Sequence, residues 1–243
     1  MKKIGFAVLS AALVGCAAVA KDNDLYSTET HTSTPLQVGI ADPLQLPSSS
    51  CNVYGLRWNL FYDASFGVYG LDLGLVGLCR DKMTGLAVQA VNWVDGDFCG
   101  LQFGGVFNVV NGDSSGAQFG GVLNSDRGSF WGFQSAAVNN VGSLFGVQLG
   151  CVNWDRSLSQ GLQVGAVNAD LNEFDGCSVG LINTADSFTG FQFGCINVIA
   201  TAGSGFQLGV INAADVFTGV QIGALNLLGN AVVPVMPFFN CRF

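Results

Sequence analysis

Residues 205–226 read GFQLGVINAADVFTGVQIGALN, and the two halves superimpose: Gly205, Gln207, Gly209 and Asn212 return as Gly219, Gln221, Gly223 and Asn226. The same GxQxGxxN pattern stands at 146–153 (GVQLGCVN) and at 161–168 (GLQVGAVN). Working outward, its first glycine recurs at 70, 85, 100, 116, 132, 146, 161, 176, 190, 205 and 219, about every 15 residues. A short fixed period is the first property that any fold must explain, because each unit has to bury its side chains in the same way as its neighbours.

Aligned on those glycines, a glutamine column emerges: Gln102, Gln118, Gln134, Gln148, Gln163, Gln192, Gln207 and Gln221, with Ser178 and Ala87 as exceptions. An asparagine column runs without a gap through Asn92, Asn108, Asn124, Asn139, Asn153, Asn168, Asn183, Asn197, Asn212 and Asn226. The units starting at Gly100 and Gly116 carry an extra glycine before the asparagine, Gly105 and Gly121, which reads as a local bulge. Within 217–226, Phe217, Gly219, Gln221, Gly223 and Leu225 alternate with Val220, Ile222 and Ala224, the period of a strand. Aspartates such as Asp170, Asp186 and Asp215 follow the asparagine and supply turn chemistry. Each repeat is therefore expected to be one strand and one polar corner.

In-phase repetition favours parallel stacking. Successive coils ~4.8 Å apart place Gln over Gln and Asn over Asn, so the amides form ladders along the axis. An antiparallel meander would reverse every second unit and put equal motifs in unequal settings. The expected fold is all-β: a parallel β-solenoid of about eleven 15-residue repeats, with Phe98, Phe130, Phe174, Phe188 and Phe217 filling its interior. The alternative is an antiparallel outer-membrane β-barrel, which the alternating strands, the high hydropathy and the terminal Phe243 would suit.

The 243 residues include 34 glycines, with 49% hydrophobic and 11% charged residues and a mean hydropathy of +0.43, which excludes a disordered chain. A net charge of −8 offers no basic surface for phosphate, which argues against nucleic acid as a partner. Residues 1–20 read as an export signal: Lys2 and Lys3, then an apolar run from Ile4 to Val14 that is too short to span a bilayer as a helix. Two cleavage readings overlap. Leu13-Val14-Gly15-Cys16 is similar to a bacterial lipobox that would leave Cys16 lipidated and the chain held at a membrane; Ala18-Val19-Ala20 is similar to an ordinary cleavage site. Residues 21–50 read as a flexible spacer, 51–69 as an N-terminal cap region, 70–230 as the β-repeat domain and 231–243 as a C-terminal cap.

The QxGxxN core, as in Gln163 to Asn168 and Gln207 to Asn212, resembles the repeat of curli-type amyloid subunits, whose family fold is a two-sheet β-solenoid with amide ladders. A closer resemblance is to bacterial surface-repeat proteins of the spirochaete type, which reiterate GLQxGxxN after segments like VYGLRWNLFY (53–62) and VYGLDLGL (68–75). That resemblance covers roughly Val53 to Asn226. It implies a cell-surface protein with no known activity.

No catalytic constellation is apparent, and an enzyme is not expected. His31 is the only histidine and reads as a solvated spacer residue. Asp95, Asp97, Asp113, Asp155, Asp170, Asp175, Asp186 and Asp215 read as capped corners rather than a calcium ladder, because their columns are ragged. The cysteines beyond Cys16 (Cys51, Cys79, Cys99, Cys151, Cys177, Cys195 and Cys241) form no metal-ligand spacing. Cys151 and Cys195, three coils apart in one column, read as small core fillers, and Trp93 and Trp154, each following a column asparagine, read either as exposed corner aromatics or as packed side chains. Neither a metal nor a cofactor is expected. The partners expected are an unidentified surface protein or glycan, and further copies of the chain.

Overall fold

Each repeat glycine sits where a side chain has no room. Gly161, for example, has φ +142°, and a Cβ on it would lie 1.9 Å from the carbonyl oxygen of Gly146 one coil earlier. This close backbone contact holds successive coils in register. The computed structural model describes residues 31–41, 44–231 and 233–242. Residues 1–20, read as an export signal, and Cys16 within them lie outside the described residues. The chain is all-β, a parallel β-solenoid and not a barrel. It forms two compact units, residues 1–140 and 141–243.

In the first unit the glycines pair in the order Gly55, Gly70, Gly85, Gly100, Gly116 and Gly132, each with the next and all in parallel. In the second unit Gly146, Gly161, Gly176, Gly190, Gly205 and Gly219 do the same. Like residues are thus superimposed and run in one direction, which rules out the antiparallel barrel. Antiparallel pairing among the described strands occurs at Ser33–Ala41 with Leu44–Leu46 and at Ile211–Leu228 with Val235–Arg242. The last of these closes the second unit, with Asn240 buried opposite Gln221.

The stack is longer than the expected eleven repeats. Twelve glycines share the positive-φ geometry, Gly55 being the additional one, so 51–69 contains a regular coil rather than only a cap. The strand Ser33–Ala41 lies parallel to Asn52–Ser65 and brings the total to about thirteen turns. The tract expected as flexible spacer is therefore ordered strand over much of 33–46. Its Thr, Ser and Pro residues obscure the alternation of Leu36, Val38 and Ile40 outward with Gln37 inward, and Gln37 pairs with Arg57 in the glutamine column.

The one-strand repeat also needs correction. In the coil of Gly161, Ser159–Val164 is followed by a bend at Gly165 and Ala166 and a second stretch beginning at Val167. The bend shifts the phase, so that Gln163 and Asn168 both point inward. Likewise Leu225, expected to share a face with Gln221, is exposed, and Asn226 takes the inward place. The second glycine of the motif makes this bend: a Cβ on Gly165 would lie 2.7 Å from the Gly150 oxygen and 2.9 Å from Asn153 Nδ2. The bulge expected near Gly105 coincides with a register shift between Gln89 and Val91, where a 15-residue unit meets a longer one.

Candidate functional site

Four inward positions recur in every coil: two before the repeat glycine, two after it, the asparagine, and two beyond the asparagine. In the coil of Gly190 these are Phe188, Gln192, Asn197 and Ile199, all buried. Phe98, Phe130, Phe174, Phe188 and Phe217 are buried as expected, and all the residues of both amide columns are buried. The interior is therefore half amide. A buried amide is tolerated only when it is hydrogen-bonded. Asn197 shows how this is met: its Nδ2 donates to Leu208 O (3.1 Å) and to Asn212 Oδ1 (2.8 Å), while its Oδ1 accepts from Asn183 Nδ2 (2.8 Å). Glutamines stack likewise, Gln207 Nε2 to Gln192 Oε1 and Gln221 Nε2 to Gln207 Oε1, both 2.7 Å. Each group orphaned by breaking such a ladder costs about 1–3 kcal/mol.

Besides Asp63, buried in the asparagine column, charge enters this interior at two kinds of place that the motif does not reveal. In the first unit Arg57 and Asp72 occupy the glutamine column one repeat apart, fully buried. Arg57 Nε donates to Asp72 Oδ1 at 2.8 Å, Nη2 to Asp72 Oδ2, and Nη1 to Leu78 O and Ser65 Oγ. This bidentate pair satisfies both ions at two successive column positions that carry no amide. Their single-period spacing in the alignment is the signal that marks them. Beside them, burial pushes the Cys79 thiol up to about 12, so it stays protonated and unreactive.

The second kind is a set of buried carboxyls at the position two beyond the asparagine. Asp155 and Asp170, expected at solvated corners, lie inside, as does Asp126. They face inward because this position continues the alternation from the asparagine. In the first unit Asp126 accepts from Ser114 Oγ, from Gln118 Nε2 at 2.9 Å and from Gln134 Nε2. Burial raises its pKa to about 7 against the favourable pull of these donors. In the second unit Gln163 Nε2 donates to both Asp155 Oδ2 and Asp170 Oδ1 at 2.9 Å. Burial raises both carboxyls, and Asp155 raises Asp170 further. These acids are buried between the coils. Their amide donors and the small Ser114 and Ser159 in the phenylalanine column make room for them.

The remaining candidates fall outside the interior. His31 is packed rather than solvated: its ring stacks on Phe66 at 3.5 Å, and Nδ1 lies 3.1 Å from Ser50 O. Cys151 and Cys195 are exposed, not core fillers, because they follow the second glycine and so project outward at the bend. Among the described residues no three or more His, Cys, Asp or Glu side chains converge as a metal site. Of the two readings of Trp93 and Trp154, the exposed one holds, and Trp93 Nε1 donates to Asp95 at 2.8 Å.

What the coils present to their surroundings is apolar. The residues flanking each glutamine point outward, and in the second unit they are Val147 and Leu149, Leu162 and Val164, Cys177 and Val179, Phe191 and Phe193, Phe206 and Leu208, and Val220 and Ile222. Phe191 is 60% and Phe193 54% exposed. Amides thus fill half of the inside while apolar side chains such as Phe191 and Phe193 stand outside, a departure from the usual partition. This outer face is the candidate binding surface. The chain matches no family model, no curated protein and no solved structure in comparison with known proteins.

Proposed function

We propose that the chain is an exported, non-enzymatic structural or binding protein of the bacterial cell surface. The observation that carries this is the distribution of its chemistry. The buried carboxyls, amides and guanidinium hydrogen-bond to one another inside the coils, and the residues left for contact are outward side chains repeated every turn. A regular stack with an inert interior suits a rigid scaffold that meets its partners along its length. The resemblance to spirochaete-type surface repeats and the signal read at 1–20 support a position outside the cytoplasm, with Cys16 as the site of a lipid anchor.

Fractionation with labelled palmitate tests it. Expressed in its native type of cell, the wild-type chain is expected in the envelope, labelled, and open to protease added to intact cells. Cys16→Ser is expected to lose the label. Retention of full-length, unlabelled wild-type chain in the cytosol would overturn the proposal.

A further inference from the structure

The outer surface of the second unit separates charge from apolar area around the coil. Among the described residues its outward charged side chains in the coils, the exposed Arg156, Glu173, Asp175 and Asp215 and the half-buried Asp186, all lie in the segments between the inward position after the asparagine and the next repeat glycine. From that glycine onward no outward position carries a charge. The long strand shows pairs such as Phe191 and Phe193. The bend shows Cys151, Ala166, Leu181, Cys195, Val210 and Ala224, with Leu181 59% and Val210 55% exposed. Beyond the bend come Val152, Val167, Ile182, Ile196, Ile211 and Leu225. The apolar belt therefore covers one sheet, turns the corner and continues on the second sheet.

The first unit repeats the division by itself. Arg80, Asp81, Lys82, Asp95, Asp97, Asp113 and Arg127 share the one charged corner, while Leu101, Phe103 and Phe119 lie on the belt. Some apolar residues, such as Leu158 and Leu171, also stand at the charged corner. Among the described residues of the coils, no charged side chain stands on the belt side.

We infer that this belt is a lipid-binding surface, which lets the solenoid lie along a bilayer with its charged corner in water. The inference names the partner for the outer surface in the function proposed above and rests on that reading only for access to a membrane. Three observations favour lipid over a second copy of the chain. A rigid partner sheet packs on one face at ~10 Å and leaves the bend and the other face wet, whereas fluid hydrocarbon covers all three together. Hydrocarbon also demands that backbone polar groups be satisfied internally, and the bend meets this: Leu181 N bonds Ala166 O, Val210 and Ile211 N bond Cys195 O, and Gly194 N bonds Leu208 O. Finally, exposed Trp154 stands at the rim between the belt and charged Arg156, the place of an interfacial aromatic. Contact is through apolar area, since the mainly acidic corner gives anionic headgroups nothing to attract.

The test uses the full chain with Cys16→Ser, so that no acyl group attached there contributes, mixed with vesicles of zwitterionic phosphatidylcholine and floated on a density gradient. The chain is expected to float with the vesicles, equally at low and high salt, and its tryptophan emission to be quenched by acyl-chain-brominated lipid. Phe191→Ser with Phe193→Ser is expected to float at least tenfold less with an unchanged strand signal in circular dichroism. Glu173→Ser is expected to float like the parent. A parent chain that stays at the bottom without quenching overturns the inference, as does a lipid-free dimer that vesicles do not dissociate or a double variant that floats undiminished. Quenching of the parent decides the matter should the double variant not fold. An exported chain that fails to float overturns the lipid inference alone, and a floating chain that remains cytosolic overturns the surface reading alone.

Discussion

Ser178 shows what a single ladder position is worth. It stands where its neighbours in register, Gln163 and Gln192, carry amides, and it is too short to reach either. Three buried polar atoms consequently lack protein partners: Gln163 Oε1, Ser178 Oγ and Gln192 Nε2. Elsewhere the same column closes, as between Gln192 and Gln207. Ser178→Gln is therefore expected to restore the run and stabilise the chain by about 1–2 kcal/mol, since each orphaned group costs roughly that much. Urea unfolding of the two chains measures it, and a lower midpoint for the variant would show that Phe174 and Asp170 leave no room for the longer side chain. A residue that breaks the motif in sequence thus breaks the ladder in space, as Ala87 also does beside the unpartnered Nε2 of Gln102. That exception is legible from the alignment alone, whereas the acids are told apart only once the inward positions are known: Asp155 stands two residues after Asn153 and is buried, Asp186 three after Asn183 and sits at the charged corner.

At the scale of the coil, the structure consists of equal layers held by contacts to the layer before and the layer after. Gly176, Gly190 and Gly205 occupy equivalent places, as do Asn183, Asn197 and Asn212. Removing residues 190–204 joins Thr189 to Gly205 and lays Gly205 directly on Gly176, with Gln207 above Ser178 and Asn212 above Asn183. The shortened chain is expected to fold, with unchanged strand content per residue and a modest loss of stability. Removing only 190–196 puts Asn197 where a glycine is required, at positive φ and against a carbonyl, and is expected to abolish the fold of that unit; circular dichroism and limited proteolysis distinguish the two. Equal behaviour of both deletions would contradict layered assembly. The layer was readable in the sequence because in-phase columns admit few other packings. Its internal bend was not. Strict alternation carries Leu225 to the inside, and only the collision of a Cβ on Gly223 with the Gly209 carbonyl and Asn212 shows why the chain must turn there. The coil built on Ser33–Ala41 escaped for a related reason: Pro35 stands where later coils have glycine, so the glycine count stops one turn late.

Across the molecule, the buried carboxyls reverse the usual dependence of stability on pH. Most proteins lose stability in acid because carboxylates paired in the folded state must be protonated. Here Asp126 has its pKa raised from 3.8 to about 7 when folded, and burial raises Asp155 and Asp170 as well. Between those two values the folded state holds protons that the unfolded state has released, so the slope of unfolding free energy with pH is negative. Below 3.8 both states are neutral and the term vanishes; above about 7 both are ionised and the full loss is reached. Each such acid contributes a slope of up to about −1.4 kcal/mol per pH unit. The net charge of −8 acts in the same direction, since protonation relieves repulsion along the charged corners. The chain is thus expected to unfold at a higher denaturant concentration at pH 5 than at pH 8. Asp126→Asn, which cannot ionise, is expected to flatten that slope by about one proton. A stability that rises from pH 5 to pH 8 would mean that these three carboxyls reach water or a cation in solution, and that the interior of the coils is more open than the ladders imply.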